Sequence, residues 1–206
     1  MSGSPARTAT AEKLFERRVV PLYHLADDAT AIATACHAMA VRFHADGTLV
    51  VFGNGAASTD AQHVAVEFVH PVIVGKLALP AISLTSDVAT VTGIAGTEGF
   101  DEIFAHQLRY LATPNDIALG ISPDGNCRNV LRGLATAREL DMLTIALVGG
   151  DGGQIASAGA ADHVLVARSD DPCVIKEVHV TTYHVLWELV HVFFEHPGLL
   201  TPEVVS

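Results

Sequence analysis

His63 and Glu67 are four residues apart in a stretch, Ala56 to Glu67, that has helical periodicity. That spacing puts an imidazole and a carboxylate on one helical face. So placed, they can hold a metal ion or move protons; an ordinary pair on a helix surface is the competing reading. Just upstream, the apolar run Leu49 to Phe52 turns through Gly53-Asn54-Gly55. Strand, glycine turn and helix N-terminus together suit an anion, because free backbone N–H groups and the positive end of the helix dipole point at one spot. A second junction of this kind is Gly120-Ile121-Ser122-Pro123-Asp124-Gly125-Asn126-Cys127. Near the end of the chain, Lys176, His179, His184 and His191 share a helical stretch with Trp187. For His184 the competing reading is a core histidine.

The elements that must position these groups follow from pattern and punctuation. Residues 1–8 are small and polar and are expected to be loose. Helical patterning runs from Ala9 to Leu25, interrupted by Pro21, and a second helix capped by Asp27 or Asp28 runs to His44. Strands are expected at Thr48–Phe52, Ala81–Thr85, Asp116–Ile121, Leu143–Val148 and His163–Ala167. Between them lie helices from Gly55 to before Pro71, Asp87–Ala95, Phe100–Leu111 and Asn126–Leu140, with a loop at Gly96–Gly99 and a glycine-rich turn at Gly149–Gly153. Ser169-Asp170-Asp171-Pro172 starts a last helix, Cys173–Phe194, which stops at His196-Pro197-Gly198. Alternating strands and helices imply an α/β fold, a parallel sheet covered on both faces, with ligands beyond the carboxyl ends of the strands. The chain reads as one domain over 9–196, with a tail at 197–206.

Bulk properties narrow the partners. The 206 residues are half apolar, with 17% charged, which suits a buried sheet and a subunit interface. The formal net charge of −11 disfavours nucleic acid and anionic membranes. It also repels any anionic ligand at long range, so local donors must hold one. No apolar run approaches a membrane span and no signal-peptide pattern opens the chain. Cys36, Cys127 and Cys173 are three and widely spaced, as in a cytoplasmic protein with reduced thiols.

From about Leu14 to His191 the chain resembles the SIS (sugar isomerase) domain, and most closely the phosphoheptose isomerase family. The resemblance rests on Gly53-Asn54-Gly55, Asp60-Ala61 with His63 and Glu67, Leu79-Pro80-Ala81-Ile82, Ser86-Asp87-Val88, Gly99-Phe100, Gly120-Ile121-Ser122 with Gly125-Asn126, Gly149 to Gly153, and Glu177-Val178-His179 with His184. It implies a three-layer, flavodoxin-like sandwich with a five-stranded parallel sheet. The two N-terminal helices would then build a homotetramer with sites shared between subunits. It implies aldose–ketose isomerisation of sedoheptulose 7-phosphate through an enediolate, with Glu67 as base and His184 as acid. The substrate would be held by Asn54, Gly55, Ser58, Asp87, Ser122, Asp124, Gly125 and Asn126.

The departures from the family pattern shape further expectations. Zinc, where the family carries it, would fall to His63, Glu67 and His184, with Lys176 in place of a glutamine ligand. A charged lysine disfavours a dication. We therefore expect the Lys176 ammonium beside Glu67, forming a zinc-free or weakly zinc-binding cluster of Glu67, His184 and Lys176. Ala57 replaces a serine in the first loop, although Ser58 adjoins it. In the second loop Pro123, Asp124 and Cys127 replace hydroxyl residues, and Asp124 would face the phosphate and repel it. Such losses fit a second reading, a non-catalytic SIS protein that senses a sugar phosphate or binds a protein, as the DnaA-binding relatives do.

Overall fold

Strand order is what alternation alone leaves open. A computed structural model describes residues 5–196 and Gly198, without the side chains of residues 5–8. Its strands are β1 (Leu49–Gly53), β2 (Ala81–Ser83), β3 (Ile117–Ser122), β4 (Leu143–Gly149) and β5 (His163–Ala167). They form one sheet in the order β2-β1-β3-β4-β5, and every pair is parallel. The inner strands β1, β3 and β4 are buried throughout, which is why they read as apolar runs rather than as alternation.

The pleat divides the core in two. Leu49 and Val51 pack on one face with α2 (Ala29–His44), α3 (Ala56–Val69) and α8 (Pro172–Glu195). Val50 and Phe52 pack on the other with α4 (Val88–Thr97), α5 (Ile103–Leu111), α6 (Arg128–Glu139) and α7 (Gly153–Ser157). The three-layer α/β sandwich with five parallel strands is as expected. The sheet order reverses between β1 and β3: the chain leaves β1 through α3 toward the edge strand β2, and leaves β3 through α6 toward β4. At such a reversal a crevice opens beyond the strand ends, and both glycine junctions lie there.

Several boundaries differ from expectation. Helix α1 runs Pro5–Asp27, so residues 5–8 are helical rather than loose; a proline at the first helical position is pre-set for the turn. Residues 1–4 and the expected tail, Gly198 apart, lie outside the described residues. Asp28 occupies the position before α2 but makes no side-chain cap. Its carboxylate instead takes Arg168 at 2.8 Å, a charge-assisted bond that outcompetes an amide. Helix α8 is capped by Asp171, which accepts from the Cys173 N–H at 2.9 Å with Pro172 next. Helix α4 continues to Thr97, through the loop expected at Gly96.

The crevice is closed on one side by two loops that cross without room for a side chain. Gly125 has φ +69°, and a Cβ there would lie 1.9 Å from the Gly152 carbonyl oxygen. Gly125→Ala therefore forces both a left-handed backbone and a loop shift. We expect it to lower the stability to unfolding by about 2 kcal/mol or more. A fall in the urea midpoint at unchanged slope checks this, and an unchanged midpoint contradicts it.

Candidate active site

Helices α3 and α8 lie side by side and are joined by three polar contacts in register. At the first, Lys176 Nζ reaches Asp60 Oδ1 at 2.6 Å and the Ala56 carbonyl at 3.2 Å. At the second, the Tyr183 hydroxyl meets His63 Nδ1 at 2.8 Å. At the third, Trp187 Nε1 donates to the Glu67 carbonyl at 2.9 Å. Residues 60, 63 and 67 lie on one face of α3, and 176, 183 and 187 on one face of α8, by helical spacing.

Between the second and third contacts sits the cluster the sequence pointed to. His63 Nε2 lies 3.1 Å from Glu67 Oε1. The His63 and His184 rings meet edge to face at 5.3 Å, and Tyr183 packs edge to face on both, at 5.4 Å and 4.9 Å. Tyr183 is 2% exposed. Burial, with the negative charges of Asp60 and Glu67 behind it, raises its hydroxyl pKa far above the usual range, so it stays protonated. The His179 ring is also buried; burial lowers its pKa and keeps it neutral, and its Nε2 has no partner.

One nitrogen or oxygen from each of His63, Glu67 and His184 lies within 4.8 Å of the other two. Two imidazoles and a carboxylate are the donor types of a catalytic zinc site with an open position, although His63 Nε2 here is turned to Glu67 Oε1. Lys176 stands apart from that set. Its expected place beside Glu67 is corrected: the ammonium is spent on Asp60, a carboxylate that is 5% exposed and would otherwise be buried without a cation.

The two glycine junctions differ from the open anion cradles expected. At the start of α3 the Ala57 and Ser58 N–H groups turn back onto the Asn54 and Gly55 carbonyls, at 2.9 and 3.0 Å. This tightens the first turn and removes two donors. The Asn54 amide pairs reciprocally with that of buried Asn129, at 2.7 and 2.9 Å, tying the end of β1 to α6. Gly55 and Ser58, with Asn54, Thr85, Val88 and Phe100, line a cavity of about 200 Å³ at the crevice. Asp87 is the cap of α4: the Thr90 hydroxyl first, and the Thr90 and Ala89 N–H groups, hold its carboxyl below the usual range.

In the second junction Asp124 folds into its own loop. Its Oδ1 accepts from the Asn126 N–H at 2.9 Å and from the Ser122 hydroxyl at 3.3 Å. Asn126 in turn accepts from the Gln154 N–H at 3.1 Å, and Gly125 carries the crossing described above. An internal carboxylate thus takes donors that an incoming anion could use. The structure brings together His63, Glu67 and His184. It groups Asn54, Gly55 and Ser58 at one junction and Ser122, Asp124 and Asn126 at the other, and it sets Lys176 at the head of α3. Asp60, Asn129, Tyr183 and Trp187 are the residues sequence reasoning left out of the site. The seven- and four-residue steps from Lys176 to Tyr183 and Trp187 were the available signal.

A doubly wound sheet with its polar cluster on the helices beside the strand reversal places the chain in a class: it belongs to the SIS-domain family, whose model matches residues 19–149. Within that class it goes with the phosphoheptose isomerases. The enzyme of that name from Solidesulfovibrio magneticus is 40% identical over 82% of this chain and 82% of its own. The phosphoheptose isomerase structure from Francisella tularensis superposes with a TM-score of 0.84 at 32% identity, covering 90% of this chain and 98% of that one. The one from Neisseria gonorrhoeae gives 0.81 at 29% identity, covering 89% and 97%.

The Lys176–Asp60 pair makes a stability prediction. Lys176→Met leaves the buried carboxylate without its cation, and we expect a loss of about 1–3 kcal/mol, part of it screened because Lys176 is partly exposed. Lys176→Gln, whose amide still donates, should lose less. Equal urea midpoints for both variants and the parent would contradict the assignment.

Proposed function

We propose that this chain is an aldose–ketose isomerase for a phosphorylated sugar, interconverting sedoheptulose 7-phosphate and a heptose 7-phosphate. The observation that carries the proposal is the half-buried Glu67 carboxylate, oriented by His63 with His184 at hand. Such a reaction needs a base to take a proton from carbon and an acid to serve the oxygens of the enediolate. Glu67, held through one oxygen by His63, has its other oxygen free to take the proton and return it to the neighbouring carbon. His184, edge-on to His63, is placed to pass a proton between the substrate oxygens. A divalent ion, if bound by His63, Glu67 and His184, would supply polarisation of those oxygens.

One chain does not bring the whole site together. Ala56 to Glu67 is eleven residues of helix, about 16 Å, farther than a seven-carbon sugar reaches. That separation supports a homotetramer in which a junction of one subunit serves the cluster of another. The outward apolar residues of α1, Phe15, Val20 and Tyr23 among them, support the same reading. Sedimentation should give a tetramer at micromolar concentration; a monomer there would refute it. We place the protein in the cytoplasm, where its three free cysteines are at home. No helix among the described residues is long and apolar enough to cross a membrane.

The reading is tested by turnover. The parent should convert sedoheptulose 7-phosphate, followed by NMR, and Glu67→Gln should lower kcat by about 10²–10⁴-fold while still binding the sugar. Binding without conversion by the parent would favour the sensor reading instead. Asp124→Ser removes a like charge and frees the Asn126 N–H, so it should tighten binding of the phosphorylated sugar by about tenfold. Unchanged or weaker binding would show that Asp124 does not face the phosphate.

A further inference from the structure

The hydroxyl of Tyr183 faces Nδ1 of His63, and Nε2 of the same ring faces Glu67 Oε1. A neutral imidazole has one proton, so one nitrogen donates and the other accepts, whereas an ionised carboxylate only accepts. The Glu67 contact is therefore a hydrogen bond only when Nε2 carries the proton. Nδ1 must then accept, and Tyr183 must donate. The chain of bonds runs one way: Tyr183 O–H to His63 Nδ1, then His63 Nε2–H to Glu67. The reverse order would bare Nε2, the nitrogen that a cation shared with Glu67 would need. It would also turn the Tyr183 oxygen into an acceptor, and the hydroxyl proton would need another partner. Among the described residues, His63 is the hydrogen-bond partner of that hydroxyl, which is buried from water. Reversal would therefore strand a buried donor.

We propose that Tyr183 is a positioning residue that holds His63 in its Nε2–H form, making His63 a donor to Glu67 and a poor metal ligand. Groups that accept from the outer nitrogen of a histidine strengthen its bond to a metal; a hydroxyl that donates there acts in the opposite sense. Glu67 is correspondingly fixed by one oxygen, and the carboxylate stays available as a base. The proposal rests on the geometry of this cluster and not on the isomerase reading.

The test uses the full chain stripped of metal, labelled with ¹⁵N-histidine, at mildly alkaline pH, with the His63 signals assigned by their loss in His63→Gln. Nitrogen shifts of the parent should show His63 protonated at Nε2 and bare at Nδ1. Tyr183→Phe, which keeps the ring and removes the hydroxyl, should give a mixture of the two forms. In a chelator competition with Zn²⁺ it should bind about tenfold more tightly than the parent, on the scale typical of such outer partners. A parent protonated at Nδ1, alone or on both nitrogens, would overturn the proposal without any variant. So would zinc affinity that is unchanged or weakened in Tyr183→Phe: the first would make Tyr183 a core residue only, the second a conventional supporter of a metal site. No turnover is measured, so failure here is separate from failure of the proposed activity.

Discussion

The alignment of α8 against α3 is the constraint on which the candidate site depends. Neither helix carries a complete reactive group. Helix α3 supplies His63 and Glu67, and α8 supplies His184 and the hydroxyl that orients His63. A slip of one turn, about 5.4 Å, would separate all of them. Lys176–Asp60 at one end and Trp187 to the Glu67 carbonyl at the other prevent that slip. Each joins a buried or half-buried polar group to a partner on the facing helix, so a slipped register would strand it. The sheet contributes by placing α3 directly after β1 and packing α8 on the same face of the core.

The electrostatics of the crevice run against an anion more than a glycine turn suggests. The chain as a whole is negative by eleven charges. At the first junction two N–H groups are closed into turns, and at the second an aspartate takes the Asn126 donor. Pro123 removes another N–H outright. With the Ser122 hydroxyl also given to Asp124, an anion there is left with the exposed start of α6 and has less to gain than in a loop of free hydroxyls. The His63–Glu67–His184 cluster and the two glycine junctions are thus built by separate sets of contacts in this chain.

Much of the fold was legible because its determinants are local. Apolar runs bounded by glycine and proline fixed the five strands, with β5 at His163–Ala167 as read, and the Asp171-Pro172 start of α8 follows from capping chemistry. His63, Glu67 and His184 were legible from four-residue spacing and from resemblance. The partners of side chains were not, because they depend on what lies opposite. Lys176 was expected beside Glu67, but a buried aspartate about two helical turns closer to the N-terminus of α3 holds it. Asp28 looks like a cap until Arg168 arrives from 140 residues away. Asp124 looks like a bare charge at the loop until its own loop's Asn126 N–H turns toward it. Lys176 and Asp28 took the strongest partner in three dimensions over the nearest in sequence, whereas Asp124 took a donor two residues along its own loop.

The central claim is that Glu67 moves a proton from carbon at a cluster held between α3 and α8. Its most direct test is isomerisation in D₂O, followed by NMR at the carbons that exchange the carbonyl. A carboxylate that takes the proton and returns it from an enediolate equilibrates with solvent, so the account predicts deuterium at the carbon that receives the proton. Glu67→Gln should slow conversion and deuterium uptake together, by about 10²–10⁴-fold. Conversion or deuterium uptake that proceeds at the parent's rate in Glu67→Gln would contradict it.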